Sequence, residues 1–262
     1  MAGLMLAFSG KGGSGKTTLA AMVIRQLVRV GTRPVLAVDA DPNATLAVTL
    51  GLEVPGTISD LRERMSRAAR EVTEIPKERL MEQWLAELVC EGTGFDLLTM
   101  GRPEGPGCYC YVNSLVRRYL RELRGRYAAV VVDCEAGMEY LSRLTVEDVD
   151  MLVLVAEATP VGLTTAHRIA RLADTLPVRV KRRLLVRNKV LERGFASPRM
   201  PGEEDIPGLQ AVVDVPFDED LYRRCVRGEP IDESAGPAAR PAIEELAKLC
   251  LNPEFEAART TP

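Results

Sequence analysis

The run Gly10-Lys11-Gly12-Gly13-Ser14-Gly15-Lys16-Thr17 constrains this chain more than any other stretch. It matches G-x-x-x-x-G-K-[ST], follows the apolar segment Leu4–Phe8, and opens a segment of helical period at Lys16, which is the strand–loop–helix context the motif needs. Its glycines let successive backbone N–H groups turn inward around phosphate oxygens with no Cβ in the way. The start of the following helix adds about half a positive charge at the same place. Lys16 is expected to reach the β- and γ-phosphates and the Thr17 hydroxyl to bind Mg²⁺, with Gly12, Gly13, Ser14, Gly15 and Thr18 completing the cradle. The alternative, a glycine-rich turn without a ligand, would not need both the motif and its setting.

Around that loop, short apolar runs alternate with helix-period segments, the pattern of a mostly parallel sheet with helices on both faces. The expectation is an α/β P-loop NTPase with a twisted sheet of about seven strands. Strands are expected at Leu4–Phe8, Pro34–Val38, Phe95–Met100, Ala128–Val132, Met151–Ala156, Arg183–Val186 and Ala211–Val215. Most are continuously apolar, as strands buried on both faces must be. Helices are expected at Lys16–Val30, Lys77–Val89, Val112–Leu123, Val161–Leu176, Asp218–Val226 and Ala238–Leu249. Pro55–Pro76 reads as a polar helical excursion at the sheet edge and Leu191–Pro207 as a surface loop. Residues 1–251 read as a single P-loop ATPase domain and 252–262 as a flexible tail.

Two acidic segments stand where ligands collect in such a sheet, at the carboxyl ends of strands. Asp39-Ala40-Asp41-Pro42-Asn43 follows the second apolar run, and Asp133 closes the run Ala129–Val132. Asp133 suits the phosphate-bound Mg²⁺, and Asp39 is a second candidate for that ion. Asp41, one step farther out, suits orientation of the attacking water. Each has a plainer use as a helix N-cap, Asp39 most of all. Asn188 ends a later strand, where its amide offers both a donor and an acceptor to an adenine edge. The loop containing Pro216 and Phe217 is placed to close over the base. Asn188-Lys189 is followed by Val190-Leu191, so the Asn-Lys-x-Asp pattern of guanine readers is missing.

Lys11 is a second lysine, early in the loop and outside the cradle around Lys16. Its side chain is aimed more easily away from its own phosphates than toward them. It is either a solvated charge or a cation serving a neighbouring subunit's nucleotide, as an arginine finger does in trans. With this early lysine, the loop resembles the deviant Walker A motif of the MinD/ParA/nitrogenase-iron-protein group. That resemblance implies a homodimer in which Lys11 crosses to the partner's ATP. It also implies a first switch at Asp41-Pro42 and a second at Asp133 through Gly137. Within the group, Gly101 through Cys110 and Asp133 through Arg143 look like the CooC-type nickel-insertion ATPases. The resemblance there implies ATP hydrolysis in the service of carbon monoxide dehydrogenase or acetyl-CoA synthase as client.

Cys108-x-Cys110 can be read on its own chemistry. Cysteines two apart are poorly placed to bond each other, but on a loop both thiolates can face one soft metal ion. Two ligands are too few for a closed tetrahedral site. A symmetric dimer would bring together four, enough for Zn²⁺ or Ni²⁺ at the dimer axis. The plainer alternative is two half-buried thiols flanking Tyr109. The single histidine, His167, reads as a helix-surface residue.

The formal net charge of −3 offers no basic excess for nucleic acid. No apolar run approaches the roughly 20 residues that span a bilayer. The opening MAGLMLAFSG lacks a basic export region, and structural disulfides are not expected of its six cysteines, so the chain reads as cytoplasmic. A positional or partitioning switch on membrane or DNA is the competing class. Its signature would be a basic amphipathic C-terminus or a basic stripe, whereas Ile243–Leu249 is acidic on balance and the arginine pairs are scattered. An electron-transferring reductase with an iron–sulfur cluster at the dimer axis is a third, though its family's cysteines lie far apart along the chain.

Overall fold

The computed structural model describes residues 3–68, 77–102, 119, 121–134, 148–191, 202–203 and 205–252. Strand β1 (Leu4–Gly10) leads through the phosphate loop into helix α1 (Lys16–Arg29) and on to β2 (Val35–Ala40). Three helices follow, α2 (Thr45–Leu50), α3 (Ile58–Ala68) and α4 (Lys77–Glu87), then the short β3 (Cys90–Glu91) and β4 (Phe95–Thr99). The chain returns as β5 (Ala129–Cys134), β6 (Asp148–Val149) and β7 (Met151–Glu157). It ends with α5 (Pro160–Thr175), β8 (Arg179–Val180), β9 (Arg183–Val190), β10 (Leu209–Pro216), α6 (Glu219–Arg227) and α7 (Arg240–Leu251).

Eight strands form one sheet in the order β10-β9-β7-β1-β5-β2-β4-β3. Every pairing is parallel except β3 with β4. The parallel strands are the expected set; the eighth, β3, is a two-residue edge piece too short to register as an apolar run. β6 and β8 pair separately as a small ribbon.

Side chains alternate between two cores, as the two-residue period of a strand requires. Met5 and Ala7 of β1 and Val130 and Val132 of β5 face α3, α4 and α5, while Leu6, Phe8, Ala129 and Val131 face α1, α2 and α7. With both faces covered, β2 and β5 have no exposed position at all. Phe8 is fully buried, so truncating it to alanine would cost about 3–5 kcal/mol.

Because the strands run parallel, their carboxyl ends share one edge. Gly10, Asp39, Asp133, Glu157, Asn188 and Pro216 all arrive there. The segment expected as a surface loop, Leu191–Pro207, is anchored at its described end: Glu203 and Ile206 are buried, Glu203 by pairing with Arg187 on β9. Cys108, Cys110 and the stretch Glu135–Arg143 lie outside the described residues.

Candidate nucleotide site

Gly10 ends β1 where a side chain cannot fit, since a Cβ there would lie 2.1 Å from the Val155 carbonyl oxygen of β7. The chain then leaves the sheet. Gly13 and Gly15 take φ of +81° and +95°, backbone angles that L side chains rarely adopt. Gly15 is also the N-cap of α1 and supplies no capping side chain, so the helix's first N–H groups stay available. Around Gly12 and Gly13 an added Cβ would meet nothing within 4 Å. Open space beside glycine is what a closely approaching ligand requires.

Lys16 is buried, and its ammonium donates to the Lys11 carbonyl at 3.3 Å, spanning the mouth of the loop. Lys11 itself is exposed, and its ammonium makes no ion pair among the described residues. A cavity of about 500 Å³ opens from the loop, lined by Gly12, Gly13, Gly15, Lys16, Thr17 and Thr18 on one side. Asp41, Asn43 and Thr45 line a second side, and Asn188, Lys189, Pro216, Phe217 and Tyr222 a third. The structure thus gathers the expected nucleotide-site residues, except Lys11, Ser14, Asp39 and Asp133, into the lining itself.

Asp39 and Asp133 stand behind it, both fully buried and directly paired across β2 and β5. Asp39 accepts from the Asp41 N–H at 3.1 Å and from the Leu46 N–H at 2.8 Å, so it holds the turn after β2 and caps α2. Desolvation by burial is the larger influence on it and pushes its carboxyl up to about 6. Asp133 differs. Neither of its oxygens has a hydrogen-bond partner. Burial pushes its carboxyl up to about 7, opposed by the Thr17 hydroxyl nearby, which falls short of a well-formed bond, and by the Lys16 charge. Ser14 Oγ is likewise buried without a partner.

Buried polar atoms with no partner are rare and call for an explanation. Two orphaned carboxylate oxygens beside Thr17, behind a phosphate loop, fit Mg²⁺, a hard cation that takes oxygen ligands and shares its shell with phosphates. Among the described residues no group of three or more acidic, cysteine or histidine side chains is arranged to hold a metal ion by itself. A Mg²⁺ site completed by a nucleotide needs none.

Asp41 Oδ1 accepts from the N–H and side-chain amide of Asn43 at 2.8 and 2.9 Å, and Arg102 donates to Asn43 Oδ1 at 3.3 Å. Asn188 is committed to backbone: its Nδ2 donates to the Ser14 carbonyl at 2.8 Å and its Oδ1 accepts from the Lys189 N–H at 2.9 Å. Phe217 meets Tyr222 at a centroid distance of 5.9 Å, and both are exposed at the rim. Asp218 caps α6 through the Leu221 N–H and binds the Ala238 and Ala239 N–H groups with its other oxygen, fixing that rim to the start of α7.

Sequence reasoning passed over Glu157, Lys189 and Tyr222. Glu157 closes an apolar strand as Asp133 does, and that signal was there to use. Tyr222 sits on a helix whose period marks it only as exposed.

A phosphate loop after a central parallel strand, with carboxylates closing the strands beside it, defines a P-loop nucleotide-binding α/β protein. The family model of the CobQ/CobB/MinD/ParA nucleotide binding domain matches residues 5–231, and the chain belongs to that family. It is 36% identical to an ATP-binding protein of Methanocaldococcus jannaschii, over 96% of this chain and 100% of the relative. It is 35% identical to the carbon monoxide dehydrogenase accessory protein CooC of Rhodospirillum rubrum, over 67% of this chain and 71% of that protein. Among solved structures, a ParA family ATPase from Chlorobium tepidum superimposes with a TM-score of 0.69 at 19% identity, covering 94% of this chain and 98% of that one.

Proposed function

We propose that this chain is an ATP-hydrolysing switch that works as a metallochaperone of the CooC type, assisting nickel insertion into carbon monoxide dehydrogenase or acetyl-CoA synthase. The observation that carries the nucleotide part is Asp133: a fully buried carboxylate with both oxygens unpartnered, next to Thr17 and the phosphate loop. Thr17 and Asp133 would hold Mg²⁺, which neutralises charge on the phosphate oxygens. Lys16 leaves its own loop carbonyl for the phosphates, and Asp41 orients water from the turn that Asp39 fixes. Lys11, exposed and unpaired with any acid among the described residues, serves the nucleotide of a second copy. Pro216 and Phe217 cover the base.

The chaperone part is supported by the likeness to the Rhodospirillum protein and by Cys108 and Cys110, which follow the glycine-rich run from Gly101. Two copies would offer four thiolates to Ni²⁺ or Zn²⁺ at their axis, and a nucleotide that alters how the copies meet would alter metal affinity. The proposed setting is the cytoplasm, with neither nucleic acid nor membrane as partner. No helix among the described residues is long and apolar enough to cross a membrane.

A second reading, a positional or partitioning switch, is favoured by the likeness to the ParA family structure. Metal content and subunit mass of anaerobically purified protein, with and without Mg-ATP, decide between them. Bound nickel or zinc near one per two chains, lost in Cys108→Ala/Cys110→Ala, supports the chaperone. Equal metal in both proteins removes it and leaves the positional switch.

A further inference from the structure

The ends of β7 and β9 meet the phosphate loop from its outer side. For the N–H groups of a nest to point inward, the carbonyls between them must point out, and an outward carbonyl needs a donor. The loop has two such carbonyls in succession, and successive residues of β9 serve them. Asn188 Nδ2 donates to the Ser14 carbonyl at 2.8 Å and Lys189 Nζ to the Gly13 carbonyl at 2.7 Å. Lys189 is itself held by Glu157 of β7 at 2.9 Å. It adopts φ of +61°, a left-handed angle unfavourable for lysine and tolerated where surrounding bonds over-determine it. Gly15 completes the fit, because a Cβ there would lie 2.3 Å from Asn188 Nδ2.

We propose that Asn188, Lys189 and Glu157 are positioning residues for the phosphates, a clamp that holds the Gly13 and Ser14 carbonyls outward, so that the Gly15 N–H turns into the nest while the Ser14 N–H closes the loop on the Lys11 carbonyl at 3.1 Å. This assigns Asn188 to the triphosphate end of the ligand, where its sequence position suggested the base. The Asn188 amide gives one of its two donors to the loop and one of its oxygen's two lone pairs to the Lys189 N–H, and its position is fixed by both. The clamp acts before any ligand arrives: a nest held open loses no binding free energy to ordering. The inference rests on the nucleotide reading of the loop given above.

The test separates the two ends of the ligand. Binding of Mg-ATP and of Mg-tripolyphosphate, which has no base, is measured by calorimetry on the full chain. Unfolding temperature without ligand is followed in parallel. Asn188→Ala and Asn188→Asp should weaken both ligands by the same factor, about ten- to hundredfold. Lys189→Asn, a residue that tolerates the left-handed angle but carries no ammonium, should weaken both about three- to tenfold. Lys189→Arg, which keeps a cation between Gly13 and Glu157, should retain wild-type affinity at an unchanged unfolding temperature. Loss confined to ATP would make Asn188 a base reader and overturn the clamp. Unchanged affinity for both ligands in Asn188→Asp and Lys189→Asn would overturn it too. A wild-type chain that bound neither ligand would bring down the nucleotide reading itself, and the clamp with it.

Discussion

Asp39 and Asp133 face each other across adjacent parallel strands at equal depth, yet only Asp39 has its oxygens satisfied. Backbone N–H groups stabilise the ionised form of Asp39, whereas burial of Asp133 outweighs the nearby Thr17 hydroxyl and Lys16 charge and lifts its carboxyl from 3.8 to about 7. In the unfolded chain Asp133 gives up its proton at the lower value. Between these values the unfolded state therefore binds fewer protons than the folded one, and stability falls as pH rises. Asp133→Asn removes that penalty. In chelator, the variant should be more stable than wild type by about 1–3 kcal/mol at pH 7.5, with a flatter profile between about pH 4 and 7. Mg²⁺ with ATP should raise the unfolding temperature of wild type and not of the variant. A variant less stable than wild type at pH 7.5 would show that Asp133 has a stabilising partner.

The pair Arg187–Glu203 ties the end of the 202–206 segment to β9, one residue before the phosphate-loop clamp. Arg187 also grips Asp214 on β10 through its Nη2 at 2.7 Å. Glu203 is 2% exposed, so Arg187→Met would leave a carboxylate buried with its guanidinium gone. Breaking such a pair from one side costs about 3–5 kcal/mol, read by urea unfolding. Removing both charges together, in Arg187→Met/Glu203→Leu, should recover most of that loss. A single variant within about 1 kcal/mol of wild type would mean that water reaches Glu203 and replaces the guanidinium.

Much of this was legible from residue order because the sheet is parallel and buried. Continuous apolar runs such as Ala129–Val132 have few other uses, and parallel strands place all their closing residues on one edge. Asp133, Asp39 and Asn188 could be brought beside the phosphate loop on that argument alone. What each one touches there could not. Asp39 caps α2, a helix of six residues whose period is too short to announce it. Asn188 turns to the Ser14 carbonyl because Gly15 leaves room for it, a fit between residues 174 positions away from Ser14 along the chain. Glu203 is polar, among glycines and prolines, and its burial depends on Arg187 across the fold. Pattern gives the edge of the sheet; pairwise chemistry at that edge depends on register and rotamers.

The glycines of the loop divide by reason, and the division can be measured. Gly10 is excluded from bearing a side chain by the protein itself, since its Cβ would lie 2.1 Å from a backbone oxygen of β7. Gly10→Ala should therefore destabilise the ligand-free chain by more than about 2 kcal/mol, because the central strand pair must part. A Cβ on Gly12 meets nothing within 4 Å. Gly12→Ala should leave ligand-free stability within about 0.5 kcal/mol of wild type, yet weaken Mg-ATP binding at least about tenfold by crowding the phosphates. Equal ATP affinity in Gly12→Ala and wild type would show that the triphosphate does not approach that side of the loop.

The two lysines of the loop should separate binding from turnover. Lys16 is buried with its ammonium across the loop mouth, so Lys16→Ala removes the charge nearest the phosphates and should raise the Kd for Mg-ATP at least about a hundredfold. Lys11 is exposed and makes no ion pair among the described residues, and the proposed function gives it to the nucleotide of a second copy. Lys11→Ala should keep the Kd within about threefold of wild type while losing at least about a hundredfold in hydrolysis, the size of effect a trans-acting cation has on phosphoryl transfer. Mixing Lys11→Ala with a Lys16→Ala chain makes the argument specific. A heterodimer that pairs the intact Lys11 of one copy with the intact nucleotide site of the other should regain one working site per pair, and turnover should rise above that of either variant alone. No recovery on mixing, with dimers shown by mass, would place Lys11 on its own nucleotide or outside the chemistry altogether.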